Sequence, residues 1–209
     1  MSVEAIRDGS ERIDASKLAS YGFSYRSLMW WGTAGMIAIE GTVFALAVMT
    51  YLYIRTRTDT WPPAVLPPEL IWGSVNLALA VLSSVPNQWT KTAAEAEDLG
   101  KVRLGLIVGV VFGVAMIIVR AFEYTALNVR WDSNAYGSAV WMLLTLHTIH
   151  LATDFYDTVI LAVLMHTDLI EGKRYVDVSE NSLYWYFVVI AWIPIYAVIY
   201  FGARWLATS

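Results

Sequence analysis

Five long apolar runs alternate with short polar segments along the chain, at about residues 28–54, 69–89, 102–127, 136–166 and 183–206. The first holds about 27 residues, and at 1.5 Å per residue it is long enough to cross a bilayer with tilt. In lipid a single run can satisfy its own backbone only as a helix. The pattern therefore predicts an all-α integral membrane protein, a bundle of five transmembrane helices spanning residues 28–209. Residues 1–27 carry both signs of charge and no apolar stripe, and are expected to form a polar cytoplasmic tail. With no apolar h-region there, no cleavable signal peptide is expected.

Lys and Arg placement sets the expected orientation. With the N-terminus inside, nine of them fall on the inner side and four (Arg55, Arg57, Arg130 and Arg204) on the outer side, with Arg120 left in the membrane. The rule favours a cytoplasmic N-terminus and a periplasmic C-terminus. The loop after the first run, RTRTDTWPPAVLPPE, has four prolines and is expected to be stiff rather than helical. KTAAEAEDLGK, after the second, reads as an extra helical turn or two in water. Pro194 predicts a kink in the last helix.

The apolar runs are interrupted by polar residues at telling positions. Glu40 lies near the middle of the first and is expected to be protonated or paired. Asn76 lies in the second. Arg120 and Glu123 are three apart in the third and can pair on one face, as a compensated pair near the outer interface. Gly105, Gly109 and Gly113 make a small-residue ladder that lets another backbone approach. His147, His150, Asp154 and Asp157 in the fourth fall within roughly an 80° arc.

Composition narrows the classes. The chain is 57% hydrophobic and only 15% charged, with mean hydropathy +0.52. It has no cysteine, so thiolate metal sites and iron–sulfur ligation are excluded. A net charge of −4 carries no nucleic-acid signal. Two readings of the histidine–aspartate face compete: a metal site of imidazoles and carboxylates, or interhelical hydrogen bonding that fixes packing. No Glu-x-x-His occurs, so the pattern of a bundle di-iron centre is missing, and packing with no bound metal is the preferred reading. Glu40 is either a proton relay or a hydrogen-bond donor at a helix contact. The ten tryptophans are expected to serve mostly as interface anchors and packing.

Several ordered pieces carry a resemblance. They are Glu40 in the first span; Trp61, Pro62 and Pro63; RAFEYTAL with Glu123 and Tyr124; YGSAVWMLLTLHTIH with Tyr136, His147 and His150; and WYFVVIAWIPIYAVIY with Trp185 and Trp192. Together, from about Trp31 to Trp205, they resemble subunit III of the haem-copper oxidases, as in cytochrome c oxidase. The longest members of that family have seven helices, and this chain starts at the equivalent of the third. In the last helix, Tyr186 and Val189 stand where the family commonly has His and Asp. Arg120 stands where it usually has a neutral polar residue, and Asp154 and Asp157 look like additions. A rewired polar network between the third, fourth and fifth spans is the expectation that joins these departures.

The resemblance implies an accessory, non-redox subunit of an oxidase that reduces oxygen and translocates protons in aerobic respiration. It would pack on catalytic subunit I and support its stability and proton uptake. Haem and copper would reside in partner subunits, phospholipid would be bound, and the location would be a bacterial-type inner membrane. Trp61, Tyr136, Trp185 and Trp192 would make lipid or interface contacts, and Glu40, Arg120, Glu123, His147, His150, Asp154 and Asp157 would form the intramembrane polar, proton-related set. Short five-helix relatives also accompany nitric oxide reductases, which leaves that parent complex as the alternative.

Overall fold

Three of the helices begin where the sequence supplies a side-chain partner for a free amide. In the computed structural model, which describes residues 22–63, 65–167 and 172–205, the Ser27 hydroxyl accepts from the Met29 amide and opens α1 (Leu28–Thr56). Asp98 accepts from the Lys101 amide at 3.2 Å and opens α3 (Leu99–Thr125). Asn134 does the same for Gly137 at 2.8 Å and opens α4 (Ala135–Met165). Between them lies α2 (Leu70–Glu95), and α5 (Gly172–Tyr196) completes the set, running on through a π-helical stretch, Ala197–Gly202, and a last turn, Ala203–Trp205. All five are long and apolar enough to cross a membrane, and no strand occurs among the described residues. Of the expected polar tail, residues 1–21 lie outside the described residues.

Two helices exceed their apolar runs. α2 continues past Trp89 to Glu95, through the alanine- and glutamate-containing segment. α5 starts at Gly172, well before the apolar run that begins near Leu183. Arg174 pairs with Asp177 one turn on, and Ser179 reaches Glu95 of α2, so this polar start is helical and docked. At the α2–α3 turn, Lys101 lies 2.7 Å from the Asp98 carboxylate. Its hydrogen bonds hold the Asp98 carboxyl below the usual carboxylate range.

α2 packs on α3 and α5, α4 packs on α3 and α5, and α1 lies at the edge against α4 and α5. Small residues set the close approaches. A side chain at Gly105 would meet Thr90 of α2, and one at Gly113 would meet the Phe155 ring of α4. Lipid is as apolar as a leucine side chain, so such close contact is what holds membrane helices together. Pro194 offers no N–H to the turn before it, and the helix widens into the π stretch three residues later. Tyr200 in that stretch occupies the space that a side chain at Gly73 would fill.

The end of the bundle carrying the α3–α4 turn is stitched by side chains on backbone carbonyls. The Arg204 guanidinium donates to the Pro68 carbonyl at 2.7 Å and to the Tyr200 carbonyl at 2.6 Å. Asn128 donates to the Pro67 carbonyl. The proline loop folds inward here: Trp61 donates from its indole nitrogen to the Tyr51 hydroxyl and packs edge-on to Tyr136 at 4.9 Å.

Candidate functional site

Arg120 and Glu123 sit one turn apart on α3, and the bundle closes around them. Their side chains are 2% and 0% exposed, joined at 2.8 Å. A desolvated ion pair needs its remaining donors and lone pairs satisfied. Tyr200 donates to Glu123 Oε1, and Asn76 of α2 donates to Glu123 Oε2 at 3.3 Å. The other face of the guanidinium lies over the Trp192 ring of α5, 4.0 Å from its centroid. Arg120 also donates to His147 Nδ1 of α4 at 2.9 Å.

That contact fixes the histidine. Arginine has only donors, so Nδ1 must accept, and Nε2–H donates to the Val188 carbonyl of α5 at 3.0 Å. His147 is therefore a neutral imidazole with both nitrogens used, wedged between α3 and α5. One network joins α2, α3, α4, α5 and the π stretch. The pair lies within two turns of the end of α3, where partners from α2, α4, α5 and the π stretch enclose it.

A second cluster lies where α1 crosses α4 and α5. The Tyr184 hydroxyl donates to Glu40 Oε2 at 2.6 Å, and His150 Nε2 lies 3.6 Å from Glu40 Oε1. His150 Nδ1–H donates to the Leu146 carbonyl at 2.7 Å, which leaves Nε2 free to accept. The 3.6 Å separation is longer than a hydrogen bond. Asp154, two positions beyond Ala152, is 1% exposed and neither of its carboxylate oxygens has a partner. Asp157 is exposed.

The four polar residues of α4 thus divide rather than converge. His147 turns to α3 and α5, His150 turns to α1, and Asp157 faces outward. Among the described residues, no group of three or more His, Asp or Glu is placed to hold a metal ion.

The expected lipid or interface positions need correction. Trp61, Tyr136, Trp185 and Trp192 are all buried inside the protein, at 2%, 1%, 5% and 0% exposure. Their polar atoms explain two of these placements: Trp61 bonds Tyr51, and Trp185 donates to the Ser83 hydroxyl at 2.8 Å. Trp192 is held by the cation above it. The tryptophans that do reach the surface are Trp31, Trp89, Trp131 and Trp205. Tyr184 and Tyr200, which carry the hydrogen bonds to Glu40 and Glu123, are not marked by the sequence pattern. Their signal is the need of each carboxylate within an apolar run for a donor from another helix.

Known proteins place this arrangement. The family model for cytochrome c oxidase subunit III matches residues 36–204. A probable cytochrome c oxidase subunit 3 of Mycobacterium tuberculosis is 28% identical over 176 residues, which cover 81% of this chain and 86% of that protein. The cytochrome c oxidase subunit 3 of Synechocystis is 24% identical over 177 residues, covering 83% and 75%. That of the insect Spodoptera frugiperda is 22% identical over 142 residues, covering 67% and 97%. The span matched by the family model includes both polar clusters, and the chain belongs to the cytochrome c oxidase subunit III family.

Proposed function

We propose that this chain is the accessory, non-redox subunit III of a haem-copper terminal oxidase. It packs on catalytic subunit I in a bacterial-type inner membrane, N-terminus cytoplasmic and C-terminus periplasmic. Residues 1–27 form the cytoplasmic tail and 28–209 the membrane domain, and phospholipid covers much of the apolar surface. Haem and copper belong to the partner subunits, and oxygen reduction coupled to proton translocation is the activity of the whole complex.

The observation that carries this reading is how the intramembrane polar groups are used. Both nitrogens of His147 are engaged by Arg120 and Val188, and His150 is tied to Leu146 and faces Glu40. These imidazoles hold helices together and leave no pair free to ligate a redox centre. The Glu40–His150–Tyr184 cluster, by contrast, gathers a carboxyl, an imidazole and a phenol near the middle of the membrane, which fits support of proton uptake. The relatives are named for cytochrome c oxidase, and nothing in the helices favours a nitric oxide reductase.

Deleting the chain from its host tests the reading. The remaining complex is expected to begin oxygen reduction at a comparable rate and then lose activity over successive turnovers faster than the intact complex. Unchanged durability, with the chain absent by mass spectrometry, would count against a supporting role.

A further inference from the structure

A small cavity lies between α2, α3, α4 and α5. It offers about 20 Å³ to the centre of a water molecule, and about 10–15 Å³ is enough to hold one. α2 brings Ser83, Asn87 and Thr90 to it, α4 brings Thr158, and α5 brings Asn181, Ser182 and Trp185. α3 contributes only glycines and a leucine, and no charged residue lines the space. What fills it is decided by which of its hydrogen-bonding groups are already used.

Almost every donor around the cavity is spent. Ser83, Thr90, Thr158 and Ser182 each turn the hydroxyl hydrogen back to a carbonyl of their own helix, at 2.7, 2.8, 3.0 and 3.0 Å. Trp185 donates to the Ser83 hydroxyl. Asn87 Nδ2 donates to the Ser182 carbonyl at 2.9 Å, and Asn181 Nδ2 donates to the Thr158 hydroxyl at 3.0 Å. The Oδ1 atoms of these two half-buried asparagines remain as acceptors, and among the described residues neither receives a hydrogen bond. Such a site calls for a ligand that brings two hydrogens. An acyl chain has none to donate and needs far more room. A metal cation would need carboxylates or a full shell of oxygens, and no carboxylate lines the space.

We infer that the cavity is a water-binding site, in which one water donates a hydrogen to Asn87 Oδ1 and the other to Asn181 Oδ1. The bridge ties α2 to α5 where the polar start of α5, docked on Glu95 through Ser179, gives way to its apolar run. One direct bond crosses at this level already, from Asn87 to the Ser182 carbonyl. Asn181 also holds Thr158, so the water draws α4 into the same set. Lipid offers these oxygens no donor, which is why a water taken in here stays. The inference stands on the cavity alone and does not depend on the reaction of the complex.

A density map of the purified complex, resolved well enough to show waters elsewhere in it, tests this directly. Density for one water within hydrogen-bond distance of both Oδ1 atoms is expected. An empty cavity, or density continuous with an acyl chain, would overturn the inference. A double-mutant cycle tests the bridge itself. Asn87→Leu and Asn181→Leu each remove one end of it, and each is expected to shorten the half-life of the chain in the warmed complex about tenfold. The bridge can be lost only once, so the double variant should fall well short of the roughly hundredfold product. Losses that multiply in full would show the two asparagines acting separately, through Ser182 and Thr158 alone, and would also overturn it. Where a variant does not assemble, the map of the unmodified complex decides.

Discussion

Arg120→Met is expected to destabilise the folded chain by about 3–5 kcal/mol, because it strands a buried carboxylate. Glu123 is fully buried, and in the variant only the Tyr200 and Asn76 donors would remain to it. His147 Nδ1 would lose its donor and Trp192 the cation over its ring at the same time. Adding Glu123→Gln should recover at least half of the loss. The Gln carbonyl still accepts from Tyr200, its –NH2 can donate to Asn76 Oδ1, which has no partner at present, once that amide turns over, and no charge is left in the interior. The check is the thermal dissociation midpoint of the complex, together with the amount of chain retained, for both variants. A double variant as damaged as the single one would mean that the network's shape, not its charge balance, holds the helices.

Gly105→Ala and Gly113→Ala should each cost about 1–3 kcal/mol through overpacking, while Gly109→Ala in the same ladder should be neutral or slightly stabilising. At Gly105 the new methyl meets Thr90, whose branched side chain on a helix has little freedom to turn away. At Gly113 it meets the Phe155 ring. At Gly109 the nearest atom is the Thr158 methyl at 3.5 Å, an ordinary contact, and alanine brings a helix-propensity gain of about 1 kcal/mol. Retention of each variant in detergent-solubilised complex distinguishes the positions. Equal loss at all three would show that α3 sits closer to α4 at Gly109 than its 3.5 Å contact indicates.

The number of helices was legible because hydropathy registers where a chain meets lipid. Helix ends were less legible for the same reason. Lys173 to Asn181 are helical but polar, so the apolar run near Leu183 marks a membrane boundary and not the start of α5. Within the site, Arg120–Glu123 could be read from a three-residue spacing, whereas Tyr200 and Asn76 lie 77 and 47 residues from Glu123 and come together only through packing. The fourth-span face shows the limit of a helical arc. His147 and His150 differ by about 60° around α4, and with α3 and α5 on one side and α1 on the other, that angle sends them to different partners. Trp61 and Tyr136 have the composition of an interface belt, yet the proline loop folds Trp61 inward onto Tyr51 and the first turn of α4 sets Tyr136 beside the same ring.

Affinity purification on a tag carried by this chain, with subunit mass spectrometry and reduced-minus-oxidised absorption spectra, tests the central claim most directly. The account predicts recovery of a haem-copper catalytic subunit in equal amount, oxygen consumption by the purified material, and loss of every haem and copper signal when the chain is separated from that subunit. A chain that purifies alone as a stable, monodisperse species, or that keeps haem or copper after separation, would contradict it.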